Sequence, residues 1–216
     1  MFSDDCNLKD AIGIYQSLGL RFMPIHSVEE GCKHIKDTCF GQCFGKVPTT
    51  EHWPDKKFKY HDFKDSDNIA LIMGKQHDGR WLVGFDIDGY LDLNRWFSLP
   101  ITLECTTARG RHLIFEVFPD TALGNWNDIL QTRSKTQGYK TGFQGALDIK
   151  YCRGAMVSPP SKTKNNQKYQ WIRFMKPSWL PQEIVSFIKF KRKIAYPNVK
   201  MYFSWSQNPA HKGISP

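Results

Sequence analysis

Two aspartates stand two residues apart at the end of an apolar run, LVGFDIDG, over residues 82–89. Alternate residues of a strand share a face, so Asp86 and Asp88 should project together with Gly84, while the apolar residues between them project to the other side. Two neighbouring carboxylates repel each other unless a cation binds them, and Mg²⁺ prefers such hard oxygen ligands. The pattern predicts a divalent-cation site with open space beside Gly84. An isolated Asp-x-Asp is also typical of the solvent side of a half-buried strand.

A third aspartate, Asp148, stands in the segment ALDIK at 146–150, with Lys150 on its own side of the expected strand. If this strand pairs near the first, the three carboxylates form one cluster. Such a cluster can hold two cations about 3.5–4 Å apart, which together activate a hydroxyl nucleophile and neutralise charge at phosphorus. Taken alone, Asp148 is also compatible with an ordinary strand position.

A histidine opens a further apolar strand after a basic, glycine-containing turn, in the segment TARGRHLIF at 107–115. Backbone amides of the turn, the Arg111 guanidinium and the His112 imidazole are groups that could grip a triphosphate. A lone histidine at the start of a strand is also typical of a structural position.

Helices and β-hairpins must position these residues. The hydrophobic pattern predicts both kinds of element, but strands and helices do not alternate as they do in parallel βαβ units. Helices are predicted at 7–18 and 181–190, with a shorter one at 91–97 and a hairpin turn at 76–80. Strands are predicted at 20–25, 68–73, 81–88, 101–107, 112–118, 145–150, 155–157 and 169–173. This mixture indicates an α+β fold.

The composition favours a folded domain with a polyanionic partner. The 216 residues are 40% hydrophobic and 14% aromatic, and 30 Lys and Arg against 21 Asp and Glu give a net charge of +9. A basic surface gains affinity for nucleic acid because neutralised phosphates release their counterions. No apolar run reaches the roughly 18 residues of a membrane span, and no secretory signal opens the sequence, so we expect a cytoplasmic protein without a membrane partner.

A polar loop at 27–46 carries four residues that together suit tetrahedral Zn²⁺. They are Cys32, His34, Cys39 and Cys43. The spacing differs from common zinc fingers, and three free thiols in a flexible loop are the alternative. His26 and His52 are substitutes for His34 as the nitrogen ligand.

Taken in order, the three chemical segments resemble the archaeo-eukaryotic primase superfamily, most closely its bifunctional primase–polymerase domains from plasmids, phages and mobile elements. That family has Asp-x-Asp after an apolar strand, then a small-x-His turn, then an apolar residue before Asp. Flanking segments are similar too: Leu18-Gly19-Leu20, Pro24, Gly45-Lys46-Val47-Pro48, Ile72-Met73-Gly74, Pro159-Pro160-Ser161 and Tyr169-Gln170-Trp171. The resemblance covers roughly residues 10–179. Many members have a second glycine where this chain has Arg109.

The resemblance implies a role for each matching residue. Asp86, Asp88 and Asp148 would bind catalytic Mg²⁺ or Mn²⁺. His112 and Arg111 would contact the phosphates of an incoming NTP or dNTP, and Lys150 and Ser161 would line the same pocket. The implied fold is an N-terminal α/β unit packed on an RRM-like antiparallel sheet. The catalytic domain would span residues 1–190, with the Cys-rich loop inserted at 27–46 and a basic tail or linker at 191–216.

These observations predict template-directed nucleotidyl transfer on single-stranded DNA, in the replication of a mobile element, phage or plasmid. A two-metal nuclease and a non-catalytic replication-origin binding module are the alternatives. Basic and aromatic residues interleave over residues 53–64, which suits single-stranded nucleic acid but also an exposed connector. The sequence has no G-x-x-x-x-G-K-[ST] motif, so a helicase partner would be on another chain or in a region not present here.

Overall fold

In the part of the chain that it describes, the computed structural model has two antiparallel sheets and two helices. It describes residues 6–29, 45–89, 91–95, 97–119, 121–134, 142–163 and 165–195. The helices are α1 (Leu8–Ser17) and α2 (Gln182–Ala195). The strands are β1 (Phe22–Ile25), β2 (Asn68–Ile72), β3 (Gly74–Lys75), β4 (Trp81–Gly89), β5 (Leu103–Thr106), β6 (Gly110–Val117), β7 (Trp126–Ser134), β8 (Gly142–Lys150), β9 (Ala155–Ser158) and β10 (Trp171–Arg173). Single turns of 3-10 helix occur at Trp53–Asp55, Tyr60–Asp62 and Leu93–Arg95.

The larger sheet has seven strands and the smaller has three. The strand order of the larger sheet is β10-β5-β6-β4-β8-β7, with β3 paired to the start of β4. The smaller sheet has the order β1-β2-β9, and all the strand pairs of both sheets are antiparallel. This mostly antiparallel architecture with two helices is an α+β arrangement, as the sequence predicts.

Strand β4 separates two hydrophobic cores. Leu82 belongs to the core that β1, β2 and α1 also build, whereas Val83, Phe85 and Ile87 belong to the core beneath α2. Because side chains alternate along a strand, Asp86 and Asp88 share the face of Leu82. The face of β4 that packs on α1, β1 and β2 at one end therefore presents carboxylates at the other end.

Local signals fix α1 where the sequence predicts it. The Asn7 side chain accepts a hydrogen bond from the amide of Asp10 at 3.0 Å, which caps the first turn. The helix buries Ala11, Ile12 and Tyr15, and Gly19 follows it with a φ of +68°. Glycine is suited to this left-handed position, so the helix ends there.

Some boundaries differ from the sequence-based prediction. The helix α2 continues past residue 190 to Ala195, and the Arg192 guanidinium donates to the Leu123 carbonyl at 2.6 Å near its end. Strand β7 was not predicted, because WNDILQTRS is polar and pairs only with β8 at the edge of the sheet. The predicted helix at 91–97 is one short 3-10 turn in the described residues.

Two predictions fall on residues outside the described ranges. The possible zinc ligands Cys32, His34, Cys39 and Cys43 all lie in the stretch 30–44, and most of the basic tail lies beyond residue 195. Both stay predictions. Among the helices of the described residues, none combines the length and apolar character that crossing a membrane requires.

The prediction of open space beside Gly84 is wrong. A Cβ atom at Gly84 would lie 1.7 Å from the Sδ atom of Met156, which projects from β9 of the smaller sheet. Gly84 thus marks the close approach of the two sheets. The sequence of β4 alone could not show this, because the side chain that fills the space comes from more than seventy residues away.

We expect Gly84→Ala to lower the free energy of unfolding by about 1–3 kcal/mol, because overpacking forces the two sheets apart. The measurement is urea denaturation. Met156→Ala in the same chain should recover part of the loss by removing the clashing atoms.

Gly13→Ala is the matched control, because no atom lies within 4 Å of a Cβ built there in α1. That change should raise stability by about 0.5–1 kcal/mol, the usual difference between alanine and glycine in a helix. An absence of coupling between residues 84 and 156 would contradict the packing described here.

Candidate active site

The register of three adjacent strands brings the predicted residues together. Asp86 of β4 lies directly opposite Asp148 of β8 on one side and opposite His112 of β6 on the other. Directly paired residues of antiparallel strands have their side chains on one face, with Cβ atoms about 4.5–5.5 Å apart. Asp88 follows on the same face. Segments that are far apart along the chain therefore form one group of side chains, which we call the carboxylate cluster: Asp86, Asp88, Asp148 and His112.

Asp86 and His112 form an ion pair at the centre of the cluster. Nε2 of His112 lies 3.3 Å from Oδ1 of Asp86, and only 5% of the histidine is exposed. Burial opposes protonation, but the nearby Cys105 sulfur and the Asp86 carboxylate raise the pKa of His112 to about 10. The pKa of Asp86 is lowered, because His112, Lys150 and Lys46 outweigh the effect of its burial.

Asp88 has the opposite electrostatic character. Burial and the negative charge of Asp86 raise the pKa of Asp88, and Asp148 adds to the effect. Arg109 lies 3.5 Å away and opposes the shift, as does Lys46. The Asp88 side chain is 38% exposed, so the least compensated negative charge of the cluster lies where a cation can reach it.

Asp148 forms an ion pair with Lys150, two residues further along the same strand. Nζ of Lys150 lies 3.1 Å from Oδ2 of Asp148 and also donates to the side-chain oxygen of Asn127 at 3.0 Å. Leu147 and Ile149, on either side of Asp148, are buried in the core beneath α2. The alternation predicted for this segment is therefore present.

The donor set suits a hard divalent cation, although the side chains are not gathered around one point. In the residues that the structure describes, no three His, Cys, Asp or Glu side chains are grouped closely enough to hold a metal ion. Asp86, Asp88 and Asp148 each lie beside a basic group instead. Asp86 and Asp148 are directly paired and Asp88 follows on the same face, so the three carboxylates project to one side of the sheet. Carboxylate oxygens are the ligands that Mg²⁺ and Mn²⁺ prefer.

Arg111 lies elsewhere than the sequence suggested. Alternation along β6 puts it on the opposite face from His112, and its guanidinium donates to Oε1 of buried Glu104 at 3.1 Å. Arg173 binds the other oxygen of Glu104. This geometry does not support a contact between Arg111 and the phosphates of a nucleotide bound at the cluster.

Ser161 is buried and its hydroxyl is engaged with the backbone of β2. It donates to the Ile69 carbonyl at 2.9 Å and accepts from the Ile69 amide at 2.8 Å. Its carbonyl accepts from the amide of Tyr169 at 2.8 Å. The predicted contact of Ser161 with a nucleotide stays a prediction, while its hydrogen bonds fix the position of Tyr169.

Three residues near the cluster were assigned no role from the sequence. Arg109 contacts Asp88, and Lys46 acts electrostatically on both Asp86 and Asp88. The Tyr169 ring lies 5.9 Å from the His112 ring and is buried. Burial and the charge of Asp86 raise the pKa of Tyr169 well above its ordinary value. Lys46 and Tyr169 lie in flanking segments that resemble the archaeo-eukaryotic primase superfamily. That resemblance is the feature of the sequence that could have identified them.

The position of Lys46 is set by its neighbour. Gly45 has a φ of +67°, and a Cβ atom there would lie 2.7 Å from Nδ2 of Asn68. The same Nδ2 donates to the Gly45 carbonyl at 3.3 Å. The backbone before Lys46 is thus bound to the first residue of β2.

Asp86 and Asp88 should contribute to stability with opposite signs. When an aspartate whose pKa is raised in the folded state ionises, the folded protein becomes less stable. When an aspartate whose pKa is lowered ionises, the folded protein becomes more stable. At pH 7 with a chelator present, Asp88→Asn should raise the free energy of unfolding by up to about 0.5 kcal/mol, because partial exposure screens its charge. Asp86→Asn should lower it by about 1–3 kcal/mol, because it removes a charged partner of His112.

Urea denaturation of both isosteric variants measures the two effects. The gain in Asp88→Asn should disappear near about pH 3, where the wild-type carboxyl is protonated in both states. Equal effects of the two substitutions at pH 7 would contradict the electrostatic asymmetry.

The chain also matches the model of a known protein family. The model of the bifunctional DNA primase/polymerase N-terminal domain, Prim-Pol, matches residues 13–183. A search of curated proteins returns no match. The matched region runs from α1 to the start of α2 and includes every residue of the carboxylate cluster. Since it takes in most of the chain, this protein belongs to the Prim-Pol family of bifunctional DNA primase/polymerase N-terminal domains.

Proposed function

We propose that this chain joins nucleotides on a single-stranded DNA template, by metal-dependent nucleotidyl transfer from an NTP or dNTP. Membership of the Prim-Pol family supports a primase or polymerase function in general. The observation that carries the specific proposal is the row of Asp148, Asp86 and His112 across three paired strands, with Asp88 next to it on the same face.

Asp86, Asp88 and Asp148 would hold Mg²⁺ or Mn²⁺ at the exposed end of the cluster. Bound there, divalent cations lower the pKa of the attacking hydroxyl and neutralise charge on the phosphates. The hydrogen bond between His112 and Asp86 fixes the direction of the Asp86 carboxylate. The contact of His112 with the phosphates of the nucleotide, which the family resemblance implies, stays a prediction. Tyr169 packs against the imidazole and restricts its rotation.

The basic groups around the cluster suit the phosphates of a nucleotide. Lys150, Lys46 and Arg109 each come from a different element, and each acts on one or more of the carboxylates. Cationic donors fixed around a reacting phosphate stabilise the charge that develops in the transition state. We assign to these three residues the phosphate contacts that the sequence had suggested for Arg111.

The basic composition, with a net charge of +9, supports a polyanionic template as the partner. The resemblance to domains of plasmids, phages and mobile elements favours a role in the replication of such an element. The motor that opens a duplex for this reaction would be a helicase on another chain or in a region not present here.

Labelled-nucleotide incorporation on single-stranded DNA tests the proposal. We expect product with Mg²⁺ or Mn²⁺ and none with a chelator. Asp86→Asn, Asp88→Asn and Asp148→Asn should each lower the rate at least about 10³-fold, which corresponds to roughly 4 kcal/mol of lost transition-state stabilisation. The matched control is Asp92→Asn, an aspartate whose side chain is 51% exposed and pairs with Arg95.

The same assay separates the other functions of this cluster. Loss of a labelled strand without added nucleotide would assign the carboxylates to a nuclease. Strand binding that survives all three substitutions, with no turnover in the wild type, would assign the chain to a binding module.

Lys150→Gln should raise the KM for nucleotide about 10-fold, because a charge-assisted contact to phosphate contributes roughly 1.5–3 kcal/mol at most. Steady-state incorporation over a range of nucleotide concentrations measures it. Lys75→Gln is the control, since Lys75 is exposed and stands opposite Trp81, at the far end of β4 from Asp86. Unchanged KM in Lys150→Gln would remove this lysine from the nucleotide pocket.

A further inference from the structure

A cavity outside the carboxylate cluster opens between the end of β1 and the segment that leads to β2. Its volume is about 450 Å³, within the range of roughly 300–1,000 Å³ usual for ligand sites. We call it the lysine cavity, because its lining includes Lys56, Lys57 and Lys64, together with Thr49 and Thr50. We propose that the lysine cavity binds the phosphate groups of the nucleic-acid strand on which the carboxylate cluster acts, an inference that rests on the proposed function.

Most of the polar side chains that line the lysine cavity can donate a hydrogen bond. Nζ of Lys56 donates to the Thr50 hydroxyl at 2.6 Å, so an ammonium and a hydroxyl already lie side by side. Ammonium and hydroxyl groups together suit phosphate oxygens, which accept hydrogen bonds and carry negative charge. Lys57 and Lys64 add two further positive charges to the lining.

Two aspartates also line the cavity, and both are used to shape its wall. Oδ2 of Asp62 accepts from the Lys59 amide at 2.7 Å, and Oδ2 of Asp67 accepts from the Lys64 amide at 2.9 Å. Each carboxylate closes a turn across three residues. Three lysines against two aspartates leave the lining positive even with His26 neutral.

The lysine cavity is continuous with the segment that carries Lys46. The His26 amide donates to the Val47 carbonyl at 2.8 Å, and the Thr49 amide donates to the Pro24 carbonyl at 3.2 Å. Lys46 and Thr49 are three residues apart, at most about 10 Å along an extended chain. Gly45, next to Lys46, is hydrogen-bonded to Asn68 of β2. Strand β2 pairs with β9, whose Met156 meets Gly84 on the face of Asp86. One strand held in the cavity would follow this segment toward the carboxylate cluster.

A strand fits this layout better than a free nucleotide. The phosphates of a free nucleotide are needed at the carboxylate cluster, where the nucleotide would react. A strand has phosphates at regular intervals, so it can contact the basic groups of the cavity as well. Aromatic residues that could stack bases flank the lysines in sequence, and Tyr60 among them is 41% exposed.

Fluorescence anisotropy of a labelled oligo-dT, titrated with the full chain in a chelator, tests this inference. Lys56→Gln combined with Lys57→Gln should raise the Kd at least about 10-fold. The slope of log K against log salt should become shallower by about 1.4, since each lost contact to single-stranded DNA removes about 0.7. Thermal unfolding should be unchanged, because both lysines are exposed.

Lys176→Gln combined with Lys193→Gln removes the same charge from exposed positions that do not line the cavity. This control should leave the Kd within about 2-fold of the wild type, because distant surface charges contribute only through a screened field. A double variant in the cavity that binds oligo-dT as tightly as this control would overturn the inference.

Calorimetric titration with a nucleoside triphosphate, again in a chelator, separates the two sources of phosphate. Unchanged triphosphate affinity with weakened oligo-dT binding supports the strand as the ligand. Lost triphosphate affinity with unchanged oligo-dT binding would overturn it. Asp86→Asn should still bind oligo-dT while it loses incorporation, so a failure of the proposed function and a failure of this inference give different results.

Discussion

The hydrogen-bond register of β4 with its two neighbours is the constraint on which the rest of this molecule depends. A slip of one residue in either pairing would move every side chain of one strand to the other face. Asp86 would then no longer face Asp148 or His112. The register is specified by burial rather than by the polar residues themselves, because Val83, Phe85 and Ile87 are all buried on the face opposite the carboxylates. The hydrophobic core beneath α2 thus determines which polar groups meet on the other side of the sheet.

The polar face is not arranged for stability alone. Asp86 pairs with buried His112 and has a lowered pKa, whereas burial and the charge of Asp86 raise the pKa of Asp88 although Arg109 lies 3.5 Å away. On the opposite face, buried Glu104 is bound by two guanidinium groups, those of Arg111 and Arg173. The two faces of one sheet therefore show two uses of charge. Perturbed carboxylates in an accessible position are typical of sites that bind a cation or react, and such sites are often less stable than a neutral alternative.

Residues with a local signal could be predicted from the sequence, and residues whose surroundings come from distant segments could not. The helix α1 has its own cap in Asn7 and its own stop in Gly19, and the alternation in β4 gives the shared face of Asp86 and Asp88. The space beside Gly84 depends on Met156, which no pattern within β4 reveals. Strand β7 is polar and lies at an edge, so it lacks the apolar period that identifies a strand.

Arg111 illustrates a different limit. Its place next to His112 in the sequence suggested a shared phosphate site, but adjacent residues of a strand point to opposite faces. Strand β6 begins at Gly110, so Arg111 lies within the strand and is not part of the turn. A Cβ atom at Gly110 would lie 1.8 Å from the Ile87 carbonyl oxygen, so the start of β6 lies directly against the backbone of β4.

The basic partners of the carboxylates come from separate parts of the chain, and this explains why the smaller sheet matters to the site. His112 and Lys150 belong to the strands on either side of β4, but Lys46 comes from the segment bound to β1 and β2. The hydrogen bond from Asn68 to the Gly45 carbonyl ties the backbone next to Lys46 to the smaller sheet. The segment bound to β1 and β2 therefore contributes charge to the cluster, and α1, β1 and β2 bury one end of β4. Thr49 of the lysine cavity follows Lys46 on the same segment, and hydrogen bonds to β1 and β2 hold that segment on both sides of Lys46.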